Sequence, residues 1–179
     1  MAHTYFFALF PDPAVRERIS ATAAALQARL GLRGQLIAPS RLHVTLHFLG
    51  RFGAAQAALE AQALQAGRAV SCLPFAVAFD RALSFRHGRD KSPCVFAMAD
   101  VNGPMHHLAD GLREAMGPAS PPAGEVRPFR PHVTWLYSMD CIDGEEPIPA
   151  LVWQAGEFAL VHGIQGAADY RVIRRWPLG

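Results

Sequence analysis

Two short stretches of the chain carry the same pair of side chains, a histidine followed two residues later by a threonine. His43 and Thr45 form the first pair, and His132 and Thr134 form the second, with an offset of 89 residues. Imidazole titrates near neutral pH, so one histidine can accept a proton from water while another donates one to a departing oxygen. Threonine hydroxyls can donate hydrogen bonds to a phosphate group as its negative charge builds up. The repeat predicts displacement at phosphorus without a metal ion.

The sequence around the two pairs is also alike. Arg41 and Arg130 each stand two residues before a histidine, and each copy opens an apolar strand directly after a loop that contains proline. Side chains two residues apart in a strand share one face of the sheet. We therefore expect each histidine to point the same way as its threonine, and the two strands to border one cleft. The alternative is that both pairs are ordinary strand residues.

The elements that must position these residues alternate between strands and helices early in the chain and form hairpins later. A buried strand is predicted at residues 5–10, followed by a helix capped by Asp12, begun by Pro13 and ended by Gly31. Further strands are predicted at 43–49, 75–85, 94–99, 132–137, 157–161 and 170–176, and further helices at 54–66 and 104–116. Short connections favour antiparallel strands with helices packed outside, an α+β fold in one domain over residues 1–179.

The composition excludes several classes of protein. Of 179 residues, 51% are hydrophobic and 18% are charged, so the chain can bury a core without disulfide bonds. A net charge of +2 is too small for a protein that coats nucleic acid through charge alone. The apolar run at 5–10 is too short to span a bilayer, and three cysteines without a C-x-x-C pair indicate a reducing compartment. We expect a cytoplasmic monomer with no membrane partner.

The motifs around the two histidines resemble those of the 2′-5′ RNA ligase-like branch of the two-histidine phosphoesterase superfamily. The resemblance is carried by HVTLHFLG at residues 43–50, FRPHVT at 129–134, YFFAL at 5–9 and the last part of the chain. It implies two pseudo-symmetric lobes of antiparallel sheet with outer helices around a central cleft. It also implies the activity of the bacterial members, which are RNA 2′,3′-cyclic phosphodiesterases.

The resemblance assigns a role to each residue of the repeat. His43 is the acid that protonates the leaving ribose oxygen, and His132 is the base that activates water. Thr45 and Thr134 hold the phosphate group. The roles of the two histidines can be exchanged, because nothing in the sequence sets their pKa values apart. The implied substrate is an RNA end or a nucleotide with a 2′,3′-cyclic phosphate, which is opened to a 2′-phosphomonoester without a metal ion or cofactor.

One position departs from the family pattern. Relatives often carry an arginine five residues after the second histidine, where this chain has Tyr137. We expect Arg130 to replace that arginine as a phosphate ligand, on the same strand face as His132 if the strand extends back through Pro131.

Three other functions stay open at this point. The first is 2′-5′ ligation of RNA halves, and the second is a non-catalytic module that binds RNA or nucleotides. The third is a small zinc protein with His43, His47 and His132 as ligands, since His47 is expected on the same strand face as His43. The aromatic residues able to stack a base near the cleft are Phe48, Phe85 and Phe129.

Overall fold

The computed structural model describes residues 1–86, 91–117 and 128–179, and these ranges contain eight strands and three α-helices. In chain order they are β1 (His3–Leu9), α1 (Pro13–Leu30), a 3₁₀ helix (Pro39–Arg41), β2 (Val44–Phe52), α2 (Ala57–Ala69), β3 (Phe75–Ser84), β4 (Ser92–Ala97), α3 (Gly103–Met116), β5 (His132–Ser138), β6 (Glu145–Ala155), β7 (Glu157–Ile164) and β8 (Arg171–Pro177). The loop before the second motif falls mostly on 118–127, outside the described residues. No helix in the described ranges has both the length and the apolarity that a membrane crossing requires.

All eight strands belong to one antiparallel sheet, in the order β6-β3-β4-β5-β2-β1-β7-β8. This order is symmetric about its centre, because β5, β4, β3 and β6 on one side correspond to β2, β1, β7 and β8 on the other. The two halves meet where Val44 of β2 pairs with Val133 of β5. The predicted α+β fold with two pseudo-symmetric halves of antiparallel sheet is confirmed.

The helices lie on one face of the sheet. Helix α1 contacts β5 and β6, α2 contacts β7 and β8, and α3 contacts β2. The main hydrophobic core includes side chains from these helices and from both halves of the sheet. Two smaller apolar clusters lie on the other face, one in each half: Phe6, Ala8, Ala159 and Val161 in the first, and Leu83, Val95 and Ala97 in the second. We call this second face the cleft face.

Helix α1 begins and ends as its sequence predicts. The carboxylate of Asp12 accepts a hydrogen bond from the backbone N–H of Val15 at 2.9 Å, a cap worth about 1 kcal/mol. Gly31 ends the helix with φ of 64°, a left-handed conformation that favours glycine. Between the caps, Val15, Ile19, Ala23 and Leu26 are buried. Local sequence signals therefore suffice to predict where helix α1 begins and ends.

Strand β6 is not predicted by the sequence. Its first residues include Glu145, Glu146, Pro147 and Pro149, a composition typical of a loop. The strand lies at an edge of the sheet and pairs on one side with β3. Proline is tolerated there because an edge strand leaves half of its backbone N–H groups without a sheet partner.

Three β-bulges interrupt the regular alternation of side chains in β2 and β5. The pairing of β2 with β1 skips Leu46 and Leu49, and the pairing of β5 with β4 skips Trp135. The bulges at Leu46 and Trp135 are 89 residues apart, the offset of the repeat. Gly50 follows the second bulge of β2 with φ of 135°, which other residues rarely adopt. Each bulge changes which of the later side chains reach the cleft face.

Candidate active site

Both histidines of the repeat lie on the cleft face. The ring centre of His43, just before β2, is 4.9 Å from that of Phe6 and 5.3 Å from that of Tyr170. Phe6 belongs to the apolar cluster of that half, and Tyr170 packs against this cluster. His132 is the first residue of β5, and its ring centre is 4.9 Å from that of Phe85, which packs on the cluster of the other half.

The backbone orients the two imidazoles in the same way. Nδ1 of His43 lies 2.7 Å from the carbonyl oxygen of Arg41, and Nδ1 of His132 lies 2.6 Å from the carbonyl oxygen of Arg130. A carbonyl oxygen only accepts hydrogen bonds, so Nδ1 carries the proton in both rings. Nε2 of each ring is therefore the atom that can exchange a proton with a substrate.

The threonines of the repeat share this face. Thr45 pairs with Ala8, and Thr134 pairs with Val95. Both partners belong to the cleft-face clusters, and side chains directly opposite each other on neighbouring strands lie on the same face. The structure thus places the four side chains of the repeat on one face of two adjacent strands.

His47 does not join them. It pairs with Phe7, a residue of the main core, because the bulge at Leu46 shifts it to the helix-covered face. Burial lowers the pKa of His47, and the charge of Arg113 in α3 lowers it further. The expectation that His47 shares the face of His43 is therefore wrong, and the three-histidine zinc arrangement built on it fails.

Arg41 and Arg130 flank the histidines symmetrically. The guanidinium carbon of Arg41 is 4.5 Å from the ring centre of Tyr170, and that of Arg130 is 4.9 Å from the ring centre of Phe85. Within the described ranges, neither guanidinium forms an ion pair with a carboxylate. Both can therefore receive an anionic group. The sequence predicts Arg130 as a phosphate ligand. It assigns no role to Arg41, although Arg41 stands at the equivalent position of the repeat.

Tyr137 reaches the cleft face because of the bulge at Trp135. Regular alternation from His132 would place it on the opposite face. Its phenol hydrogen-bonds Thr134 and lies close enough to Tyr170 for that group to affect its pKa. Burial is the main cause that raises the pKa of Tyr137, so the phenol keeps its proton and can donate it to a hydrogen bond. The residue at the position of the family arginine is thus part of the site.

Burial lowers the pKa of both histidines. The pKa of His43 falls from 6.5 to about 4, chiefly because the ring is buried and also because His132 is nearby, while the hydrogen bond to the Arg41 carbonyl opposes the fall. Burial also lowers the pKa of His132, with a further contribution from the charge of Arg130. A phosphate anion bound near both rings would raise both values, because it favours the charged imidazolium.

The aromatic residues considered for base stacking lie in different places. Phe48 pairs with Phe6 on the cleft face, and the residue is 48% exposed. Phe85 packs against His132, whereas Phe129 packs against His106 at the start of α3. Phe48 is thus the one that is exposed and lies in β2, the strand that begins directly after His43.

Known proteins similar to this chain have the same architecture. The model of the 2′-5′ RNA ligase superfamily matches residues 6–163. The chain is 26% identical to Escherichia coli LigT complexed with 3′-AMP, with a TM-score of 0.76 over 99% of each chain. Against the same protein complexed with NADP⁺ the identity is 25% and the TM-score 0.72, again over 99% of each chain.

A third solved structure supports the fold alone. TT0787 of Thermus thermophilus is 24% identical, with a TM-score of 0.77 over 98% of this chain and 97% of that chain. No curated protein matches the chain. The family match spans most of the sequence and includes both His-x-Thr pairs. The protein therefore belongs to the 2′-5′ RNA ligase superfamily.

Proposed function

We propose that this protein is a cytoplasmic, metal-independent phosphodiesterase that opens 2′,3′-cyclic phosphates on RNA ends or nucleotides. The observation that supports it most is the pair of imidazoles on one sheet face, His43 and His132, each held by a backbone carbonyl through Nδ1. The three cysteines are unpaired, which fits a reducing compartment.

The reaction needs one neutral and one charged imidazole. The neutral ring takes a proton from water through Nε2, and the water oxygen bonds to phosphorus. The bond from phosphorus to the 3′ oxygen breaks, and the charged ring protonates that oxygen, which leaves a 2′-phosphomonoester. The family resemblance makes His132 the base and His43 the acid. Burial lowers the pKa of His43 to about 4 in the free protein, which keeps that ring neutral and favours the exchanged assignment.

The remaining groups of the site bind the phosphate in this proposal. Thr45 and Thr134 donate hydrogen bonds to its non-bridging oxygens, where charge accumulates in the transition state. Tyr137 adds a phenol in the place of the family arginine, and Arg41 and Arg130 add positive charge from either side. Three neutral donors and two cations then face an anionic transition state.

Ligation is the second candidate, because the matching family is described by that activity. In ligation a ribose 5′-hydroxyl replaces water as the nucleophile, so the same proton donor and acceptor are used. A module that only binds RNA is less well supported. Binding alone does not require two imidazoles held in the same tautomer at equivalent positions.

The test is to incubate the purified protein with adenosine 2′,3′-cyclic phosphate and with an oligonucleotide that ends in a cyclic phosphate. ³¹P NMR and chromatography should show a 2′-phosphomonoester from both. His43→Gln and His132→Gln should nearly abolish turnover, whereas the exposed His107 on α3 serves as a matched control through His107→Gln. Joined RNA halves in place of hydrolysis would favour ligation, and neither product would contradict the proposed activity.

A further inference from the structure

A cavity of about 270 Å³ adjoins the candidate active site on the side of His43. The side chains that matter for its chemistry are Thr4, Phe6, Arg41, Arg51, Gln165 and Tyr170. Two of these rings, Phe6 and Tyr170, also contact the imidazole of His43. The cavity is therefore continuous with the site where the cyclic phosphate would react.

Arg51 of β2 lines this cavity from the cleft face. Arg51 pairs with Thr4 of β1, and cross-strand partners share a face. Because each bulge inserts one residue, the side chains of β2 on the cleft face follow one another as Thr45, Phe48 and Arg51, after His43. A continuous row thus runs from the imidazole, past a hydroxyl and an exposed aromatic ring, to a cation.

The charge of the cavity is positive. Arg41 and Arg51 line it, and none of the lining residues, all of them in the described ranges, is acidic. Neither arginine forms an ion pair within the described part of the chain. Asp169 lies close in sequence to the lining residues, but its carboxylate accepts a hydrogen bond from Ser40 and does not line the cavity.

A cavity of about 170 Å³ in the other half of the sheet provides a contrast. It also contains two arginines, but Asp100 and Glu145 line it as well. Arg81 in that cavity is ion-paired with both Asp80 and Glu145. An anion is therefore better accommodated on the side of His43.

We propose that the cavity lined by Arg41 and Arg51 binds a second phosphate of the RNA strand whose cyclic end reacts at the two histidines. Thr45 and Arg51 pair with Ala8 and Thr4 of β1, which are four residues or about 13 Å apart along that strand, so this phosphate belongs to another nucleotide of the RNA strand. The exposed ring of Phe48 lies between the two positions and offers a surface on which a base can stack. The inference rests on the proposed function and makes an oligonucleotide end, rather than a mononucleotide, the preferred substrate.

The first experiment varies the substrate. kcat/KM is measured for adenosine 2′,3′-cyclic phosphate and for di- and trinucleotides with the same cyclic end. We expect kcat/KM to rise by about 10- to 100-fold once the strand reaches the cavity, the gain from a hydrogen bond to a charged group. An uncharged methylphosphonate at that linkage should remove the gain. Equal kcat/KM at all three lengths, as a site for free phosphate alone would give, would overturn the proposal.

The second experiment changes the protein. Arg51→Gln should lower kcat/KM for the trinucleotide at least tenfold more than for the mononucleotide. Arg68→Gln removes the same charge from an exposed position on α2 and should lower neither. In salt titrations of product binding, Arg51→Gln should reduce the slope of log Kd against log salt by about 0.7, the share of one phosphate contact on a single strand.

The two experiments separate this inference from the proposed function. If the mononucleotide is hydrolysed but Arg51→Gln keeps the full length preference, the second phosphate site is wrong and the activity stands. If no cyclic phosphate is hydrolysed, the proposed activity fails, and the salt dependence of oligonucleotide binding still tests the cavity. An unchanged salt slope in Arg51→Gln would then contradict the site.

Discussion

Val44 pairs with Val133 at the centre of the sheet, and each valine directly follows a histidine of the repeat. Residues at the same position of two repeats pair with each other when a pseudo-two-fold axis passes between them, as in the interface of a symmetric dimer. This pair joins β2 to β5 and thereby joins the two halves of the sheet. It brings the two histidines to equivalent places on either side of the axis.

The equivalent places are not chemically identical. Tyr170 packs against His43, whereas Phe85 packs against His132. Likewise, Phe48 in β2 stands where β5 has Tyr137, at the same offset of 89 residues. Different surroundings separate the pKa values of two otherwise equivalent groups, which is what a proton donor and a proton acceptor require.

Chelation should leave the activity unchanged. In the proposed mechanism two imidazoles carry the protons and hydroxyls bind the phosphate, so turnover of a cyclic phosphate should persist after exhaustive treatment with EDTA. The measurement is kcat before and after dialysis against the chelator. Loss of activity that zinc or magnesium restores would contradict the mechanism and point to a metal-bound water.

Each histidine variant should lose activity without losing stability. His43→Ala and His132→Ala should each lower kcat by about 10²–10⁴-fold, the usual contribution of a general acid or base. Because the pair acts as a unit, the double variant should be little worse than the worse single variant. Thermal midpoints should stay near that of the unchanged protein. Near-full kcat in either single variant would exclude paired roles.

Tyr137→Phe should lower kcat/KM about 2- to 10-fold, because the phenol is one neutral hydrogen-bond donor to the phosphate. Tyr137→Arg introduces the residue that relatives often carry and should restore or exceed the original kcat/KM. Steady-state kinetics on a mononucleotide measures both. If Tyr137→Phe were fully active and Tyr137→Arg inactive, the ring would have a packing role only.

The pH profile should have an acidic optimum. The pKa of both histidines lies below 6.5, that of His43 at about 4, and the reaction needs one ring charged and the other neutral. kcat/KM for the free enzyme should therefore peak between these two apparent values, below pH 6.5, and fall as the pH rises above the higher one.

Variants assign the two limbs of that profile. His132→Gln should remove the acidic limb from the residual activity if His132 is the base, and the basic limb if it is the acid. His43→Gln should do the opposite. A profile that rises steadily to high pH would instead indicate hydroxide as the nucleophile and exclude the two-histidine mechanism.

His162 should make the protein less stable in acid. The residue is 3% exposed, and its ring stacks on Tyr5 with centres 4.4 Å apart and hydrogen-bonds His3 at 2.8 Å. Burial lowers its pKa below 6.5, so the unfolded chain binds more protons than the folded chain as the pH falls. The free energy of unfolding should therefore decrease below about pH 6.5.

A variant isolates this effect. His162→Phe keeps an aromatic ring on Tyr5 but cannot be protonated, so its thermal midpoint should depend less on pH between about 5 and 6.5. His107→Gln removes an exposed histidine and should leave that dependence as it was. An identical pH dependence in His162→Phe and the unchanged protein would show that this ring does not contribute.

Local signals in the sequence were enough to predict helix α1 and to identify the repeat. A cap at Asp12 and a stop at Gly31 bound α1, and regular alternation correctly placed His132 and Thr134 on one face. These features depend on residues within a few positions of each other. The sequence alone is enough to predict a feature when the interacting residues lie that close together along the chain.

Pairing between strands that are distant in sequence decided which other side chains reach the cleft face. The bulges at Leu46 and Trp135 exist only relative to β1 and β4, yet they turn His47 away from the cleft face and Tyr137 toward it. Tyr170 reaches His43 only because β7 pairs with β1. A bulge shifts alternation by one residue, so the side chains after it change face until a second bulge restores the pattern. Only the assembled sheet shows where such a shift occurs.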